Sequence, residues 1–352
     1  MVLPTFAEVL PYRALSGHTA ARRRVKALTR EVFLSIVKKR KRKQKRVDKN
    51  VREKNMASYL IYTDAAADIP AHVFQKYDLR IVPMRYTLNG KEILFNTASP
   101  DHDRLCDEFF EALKKGGDAM TSQITQFDFM EIFEPDLKDG NDILYLCFSS
   151  GISGTYNNAC LAAEELNEKY PESRLLVVDT MAATQGQGVF THAALINREK
   201  GMSMEENAAW LLEKRPYLCH RFVVGDLHHL HKGGRVSSTA AVVGTMLQVK
   251  PLLIIDDEGK LDVVEKARGM KRAQRRLVEA YQKEQGVPDV PKLVYVGHTS
   301  LYKEVEALCE AIRAVAEEGT VVEPVNLGPI IATHVGPEFF SVCGWGFHRR
   351  EA

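Results

Sequence analysis

From Tyr59 onward, apolar runs of strand length alternate with amphipathic stretches of helical period, and that alternation points to a layered α/β protein. Tyr59-Leu60-Ile61-Tyr62 reads as a strand that ends at the polar turn Thr63-Asp64, and Ile69-Pro70 opens a helix running to Tyr77. Residues 80–88 are extended and turn at Asn89-Gly90, a hairpin signal. Helices are predicted over 103–115, 127–137, 155–169, 186–200 and 203–215, and buried strands over 143–148, 174–178 and 221–224. A second unit follows, with a hairpin of 249–255 and 260–266, helices over 271–285 and 303–317, and strands over 293–297, 320–327 and 340–344.

At 352 residues the chain is too long for one small core. The pattern divides it into an N-terminal parallel-sheet α/β domain, 58–224, and a C-terminal α/β domain, 225–347. No apolar run approaches the ~18 residues that a membrane-spanning helix needs. The six cysteines include no C-x-x-C pair and several sit in apolar runs, where free cysteine acts as a small hydrophobe. They suggest neither a disulfide framework nor a zinc site, and a reducing cytoplasm is the simplest compartment.

Residues 1–57 stand apart. They hold 17 Lys or Arg against four acids, hence +13, which leaves −11 for the remaining 295 residues of a chain whose net charge is +2. Arg22-Arg23-Arg24 and the basic run 38–46 repel one another and resist packing on a core, although Leu28, Val32, Phe33, Ile36 and Val37 fall at helical spacing. This leader is read as a disordered or non-native stretch, since Met56-Ala57-Ser58 stands directly before the first strand. Were it functional, it would contact nucleic acid or an anionic membrane surface.

Four polar clusters each follow an apolar segment, where α/β proteins place ligands at strand ends. They are Thr121-Ser122-Gln123, the stretch 149–156 with five hydroxyls, His231-Lys232-Gly233-Gly234-Arg235, and Thr333-His334-Val335-Gly336-Pro337. The second suits an anion, with backbone N–H groups and hydroxyls at a strand-to-helix turn, although serines there also serve as helix caps. Gly151-Ile152-Ser153-Gly154-Thr155 lacks the last glycine of a nucleophile elbow, and neither dinucleotide nor P-loop glycine patterns occur. His228, His229 and His231 have no paired acid or cysteine, so no metal is expected.

In this order the clusters resemble the DegV family, from about Ser58 to Phe347. Further matching pieces are Asp68-Ile69-Pro70, Val82-Pro83, Asn89-Gly90-Lys91, Lys250-Pro251, Arg268-Gly269 and Gly328-Pro329. The resemblance implies a two-domain α/β fold holding a long-chain fatty acid, roughly C14–C18, in a buried apolar tunnel between the domains. It implies a carrier without cofactor or catalytic residues, presenting its ligand to a separate fatty-acid kinase. By position, Thr121 and Ser153 would donate to the carboxylate, with Ser122 and Ser150 beside them and His334 completing the polar end. Arg235 and Arg268 would flank the portal and meet the partner, and 240–247 with 252–255 would supply tunnel wall. The sequence departs from the family pattern at Ala65-Ala66-Ala67, over 93–104, and at Glu338 with Phe339-Phe340. The competing expectation is a small-molecule transferase or hydrolase using Ser153 as nucleophile and His334 as base.

Overall fold

The structure, a computed structural model, describes residues 59–237 and 248–347, all within one unit, Ala57–Ala352. The basic leader and the proposed wall segment 240–247 lie outside the described residues.

The chain opens with β1 (Tyr59–Asp64), α1 (Ala71–Lys76), β2 (Leu79–Val82), β3 (Met84–Leu88), β4 (Lys91–Phe95), α2 (His102–Lys114) and β5 (Ala119–Ser122). It continues through α3 (Gln126–Lys138), β6 (Asp142–Cys147), α4 (Thr155–Lys169), β7 (Leu175–Asp179), α5 (Thr184–Glu199) and α6 (Met204–Lys214). The remainder is β8 (Leu218–Val224), α7 (His228–Lys232), β9 (Val249–Ile255), β10 (Leu261–Arg268), α8 (Met270–Glu284), β11 (Leu293–His298), α9 (Tyr302–Arg313), β12 (Val321–Asn326), α10 (Pro329–Val335) and β13 (Phe339–Trp345).

These strands form three sheets: a parallel β2-β1-β6-β7 sheet, an antiparallel β4-β3-β5 sheet, and a mixed β10-β9-β8-β13-β11-β12 sheet. The α/β architecture with a parallel first sheet is as the sequence pattern requires. Ile143 to Cys147 are all buried, because helices cover both faces of a central parallel strand. The edge strand β10 instead exposes Asp262, Val264 and Lys266 on alternate positions. Strand β8, grouped by sequence with the residues before 225, pairs with β9 and β13 in the six-stranded sheet.

Helix starts follow local chemistry. Thr125 and Asp128 form a reciprocal capping box on α3, and Ser203 and Glu206 do the same on α6. Pro70 stands just before α1 rather than inside its first turn.

A buried carboxylate organises the ends of the first sheet. Asp64 accepts from the Tyr145 hydroxyl at 2.8 Å, from the N–H of Phe148 at 2.9 Å and of Ala66 at 3.1 Å, and from Gln187 at 3.2 Å. Burial pushes its carboxyl above the usual range, opposed by those donors. Because Asp64 ends β1 and Phe148 follows β6, the bonds fix the loops at the point where strand order reverses, the usual ligand crevice of such sheets. Ala65, Ala66 and Ala67 are all buried there, which leaves no room for larger side chains.

Candidate functional site

A cavity of about 630 Å³ opens where the three sheets meet, within the ~300–1,000 Å³ common for small-molecule sites. Met84 and Thr121 reach it from β3 and β5, Ile152 and Ser153 from the turn after β6, and Phe222 from β8. Ile255 and Leu261 come from the β9–β10 hairpin, Ile330 and His334 from α10, and Phe339 from β13.

At one end, Thr121 Oγ1 lies 2.8 Å from Nε2 of His334. Burial lowers the imidazole pKa to about 4, aided by the nearby Arg235 and His229, so the ring is neutral at pH 7. Gly233 permits this placement: a Cβ added there would stand 2.5 Å from His334 Nδ1. Arg235 itself lines the cavity, half-buried, and donates to the carbonyl of Gly233; burial pushes its guanidinium pKa down. Ser122, Gln123 and Thr125, also lining, are exposed, so this end approaches the surface.

The turn 149–154 distributes its hydroxyls among different tasks. Ser153 lines the cavity, its Oγ 2.9 Å from Thr155 Oγ1 and accepting from the Thr155 N–H at 3.2 Å as α4 begins. Ser149 donates to the carbonyl of Gly259 at 2.6 Å, docking the turn on the β9–β10 hairpin. Gly151 allows that approach, since a Cβ would meet the Gly259 backbone at 2.5 Å. Ser150, expected at the ligand, is instead exposed and outside the cavity wall, its hydroxyl donating to Asp179 at 2.6 Å.

Among the other expected residues, Arg268 is exposed at the end of β10 and does not line the cavity. Glu338 turns outward to Lys250 at 2.7 Å, Phe339 joins the wall, and Phe340 faces the opposite core with Val223 and Leu277. Within 252–255, Ile255 lines the cavity while Leu252 packs into that opposite core. The sequence reading missed Thr184 and His220, which also line it. A His inside the apolar run of β8 gives no periodic signal.

A sequence model described as "Uncharacterised protein, DegV family" matches residues 58–345. The chain belongs to the DegV family. A DegV domain-containing protein of Clostridium perfringens is 36% identical over 283 residues, 80% of this chain and 95% of that relative. Among solved structures, a DegV family protein from Thermus thermophilus described by its fatty-acid binding matches with a TM-score of 0.71 at 28% identity, over 82% of this chain and 100% of its own. A fatty acid binding DegV family protein from Streptococcus agalactiae matches with a TM-score of 0.69 at 25% identity, over 82% of this chain and 98% of its own. The three-sheet architecture here therefore surrounds a cavity in a family whose solved members include fatty-acid binders. Among the described residues, no helix is long and apolar enough to cross a membrane.

Proposed function

We propose that this DegV family protein binds one long-chain fatty acid in the cavity, its carboxylate at the Thr121–His334 end, and presents it to a separate kinase. The observation that carries the reading is the cluster of donors, Thr121, Ser122, Ser153, Arg235 and His334, at one end of a largely apolar cavity. A buried carboxylate without donors for both oxygens would cost several kcal/mol. With the imidazole proton on Nε2, His334 donates to Thr121 Oγ1, and the threonine hydroxyl hydrogen turns to the ligand. Arg235 supplies the formal positive charge and stays cationic despite its burial. The walls, Met84, Phe148, Phe222, Ile255, Ile330 and Phe339, are buried hydrophobes. A C16 tail against them would gain on the order of 10 kcal/mol before ordering costs, at about 0.8 kcal/mol per CH₂.

Exposure of Ser122 and Gln123 supports access by a partner to the carboxylate end. The hydrolase reading is disfavoured because Ser153 bonds to Thr155 and His334 to Thr121, with no hydrogen bond joining Ser153 to His334. Mass spectrometry of an organic extract of the purified protein tests the binding, which calls for one long-chain acid per chain. For the carrier role, protein loaded with fatty acid should yield acyl phosphate only when a cognate kinase and ATP are added. Partner-free turnover abolished by Ser153→Ala would overturn the carrier reading.

A further inference from the structure

Outside the cavity lining, the carboxylate of Asp68 grips the start of the helix that carries His334. Asp68 is buried, and its Oδ1 accepts from the N–H of Gly328 at 2.9 Å and its Oδ2 from the Gln185 side chain at 3.4 Å. Gly328 stands immediately before α10, and a Cβ there would meet Asp68 Oδ1 at 3.0 Å and the Phe95 ring at 2.9 Å. Helices commonly secure the N–H at this position with an acid from their own first turn. In α10 the corresponding residue is Ile331, which lines the cavity with Ile330 and His334. The acid comes instead from 260 positions away.

The loop bearing Asp68 is itself tied down. Its N–H donates to the carbonyl of Thr184 at 3.2 Å, and the N–H of Thr184 to that of Ala66 at 2.9 Å. Beyond the other end of α10, Thr299 Oγ1 donates to the carbonyl of Pro337 at 2.7 Å. His334 lies about 9 Å along the helix from Gly328, at ~1.5 Å per residue, so it rides on a short rod held at both ends.

A proton can alter the Asp68 hold, because on either oxygen it weakens that atom as the acceptor of the bond already made there. Burial raises the carboxyl to about 7, opposed by His102 of α2 and by the Gly328 bond. The thiols of Cys106 on α2 and Cys343 on β13, which also feel Asp68, are pushed up by burial and stay neutral, and α5 contributes the uncharged Gln185. We propose that Asp68 is a positioning residue for the fatty-acid site: as a carboxylate it seats α10, and through α10 it holds His334 against Thr121, a role that rests on the fatty-acid reading above.

The experiment measures hexadecanoate binding to delipidated full-length protein between pH 6 and pH 8.5. Wild-type affinity should rise about 3-fold to 10-fold across that range, the difference between a neutral and a charge-assisted hydrogen bond. Asp68→Asn keeps the size of the side chain but cannot ionise, so it should lose the step and bind throughout as the wild type does at pH 6. A merely structural residue would lower stability and leave the shape of the pH profile alone. His334→Ala, with Asp68 intact, should lose the step as well. A flat wild-type profile, or a step undiminished in either variant, would overturn this inference and leave fatty-acid binding intact. Failure of the wild type to bind hexadecanoate at any pH would overturn both this inference and the reading beneath it.

Discussion

Thr121 and His334, 213 positions apart in the chain, meet at 2.8 Å across the boundary between the small antiparallel sheet and the helix α10. Their contact stands at the cavity's donor-rich end. Removing the hydroxyl alone, in Thr121→Val, should weaken fatty-acid binding by about 1–2 kcal/mol and leave the stability of the ligand-free protein almost unchanged. Ser153→Ala should weaken binding similarly but also lower stability by about 0.5–1 kcal/mol, because its hydroxyl accepts from the Thr155 N–H where α4 starts. Calorimetric titration beside urea unfolding separates the two. Unchanged affinity in both variants would mean the carboxylate binds elsewhere.

Gly233 is a test of space rather than of backbone freedom. Its φ of −74° suits any residue, yet a methyl there would press on His334 Nδ1. Gly233→Ala should therefore reduce affinity about as much as His334→Ala does, through displacement of the ring from Thr121. The measurement is the affinity of the pair of single variants and of the double variant, in which the two losses should fail to add.

The pH dependence of stability carries a signature of His334. Its folded pKa of about 4 lies below the ordinary 6.5, so the neutral ring stabilises the fold fully above pH 6.5. That contribution is lost as pH falls from 6.5 through about 4, where the unfolded chain binds a proton the folded chain refuses. His192 and His298, both also near 4, act in the same sense. Asp68, raised to about 7 by burial, acts in the opposite one. Comparing wild type with His334→Gln cancels the others: unfolding of the variant should take up close to one proton fewer at pH 5, read from the slope of unfolding free energy against pH. Identical slopes would show the ring to be ordinarily solvated.

A chain beginning at Met56 should unfold in one cooperative transition and keep its ligand affinity. The three hydrophobic clusters of the described residues run from Tyr59 to Trp345, and a block of +13 resists joining such a core. Thermal unfolding followed by circular dichroism checks it, and loss of the transition would show the leader to be part of the fold.

Much of the layered architecture was legible because burial on two faces or one leaves a periodic trace. The helix expected over 155–169 is α4, and the hairpin at Asn89-Gly90 joins β3 to β4 in register. Elements at the cavity left weaker traces. The strand β5 has four residues, two of them polar, and α10 is a seven-residue helix buried on most sides, so neither shows a repeating polar face. Thr121 and His334 were found through the order of motifs, whereas their mutual contact depends on how β5 and α10 pack. Ser150 shows the converse. Five hydroxyls in the stretch 149–156 mark an anion-friendly turn, but only the turn's path decides that Ser153 faces the cavity while Ser150 bonds Asp179. His220, beside Arg221 in an otherwise apolar strand, looks like core in any sequence reading until β8 is seen to wall a cavity.

The central claim is that a fatty-acid carboxylate sits between Thr121, His334 and Arg235. Loading the protein with hexadecanoate labelled with ¹³C at its carboxyl carbon and recording that single resonance tests it most directly. The account predicts a bound carboxyl signal distinct from the free acid, moved by Thr121→Val and by His334→Ala and unmoved by Arg268→Ala. A signal matching the free acid, or a bound signal that Thr121→Val leaves in place, would contradict it.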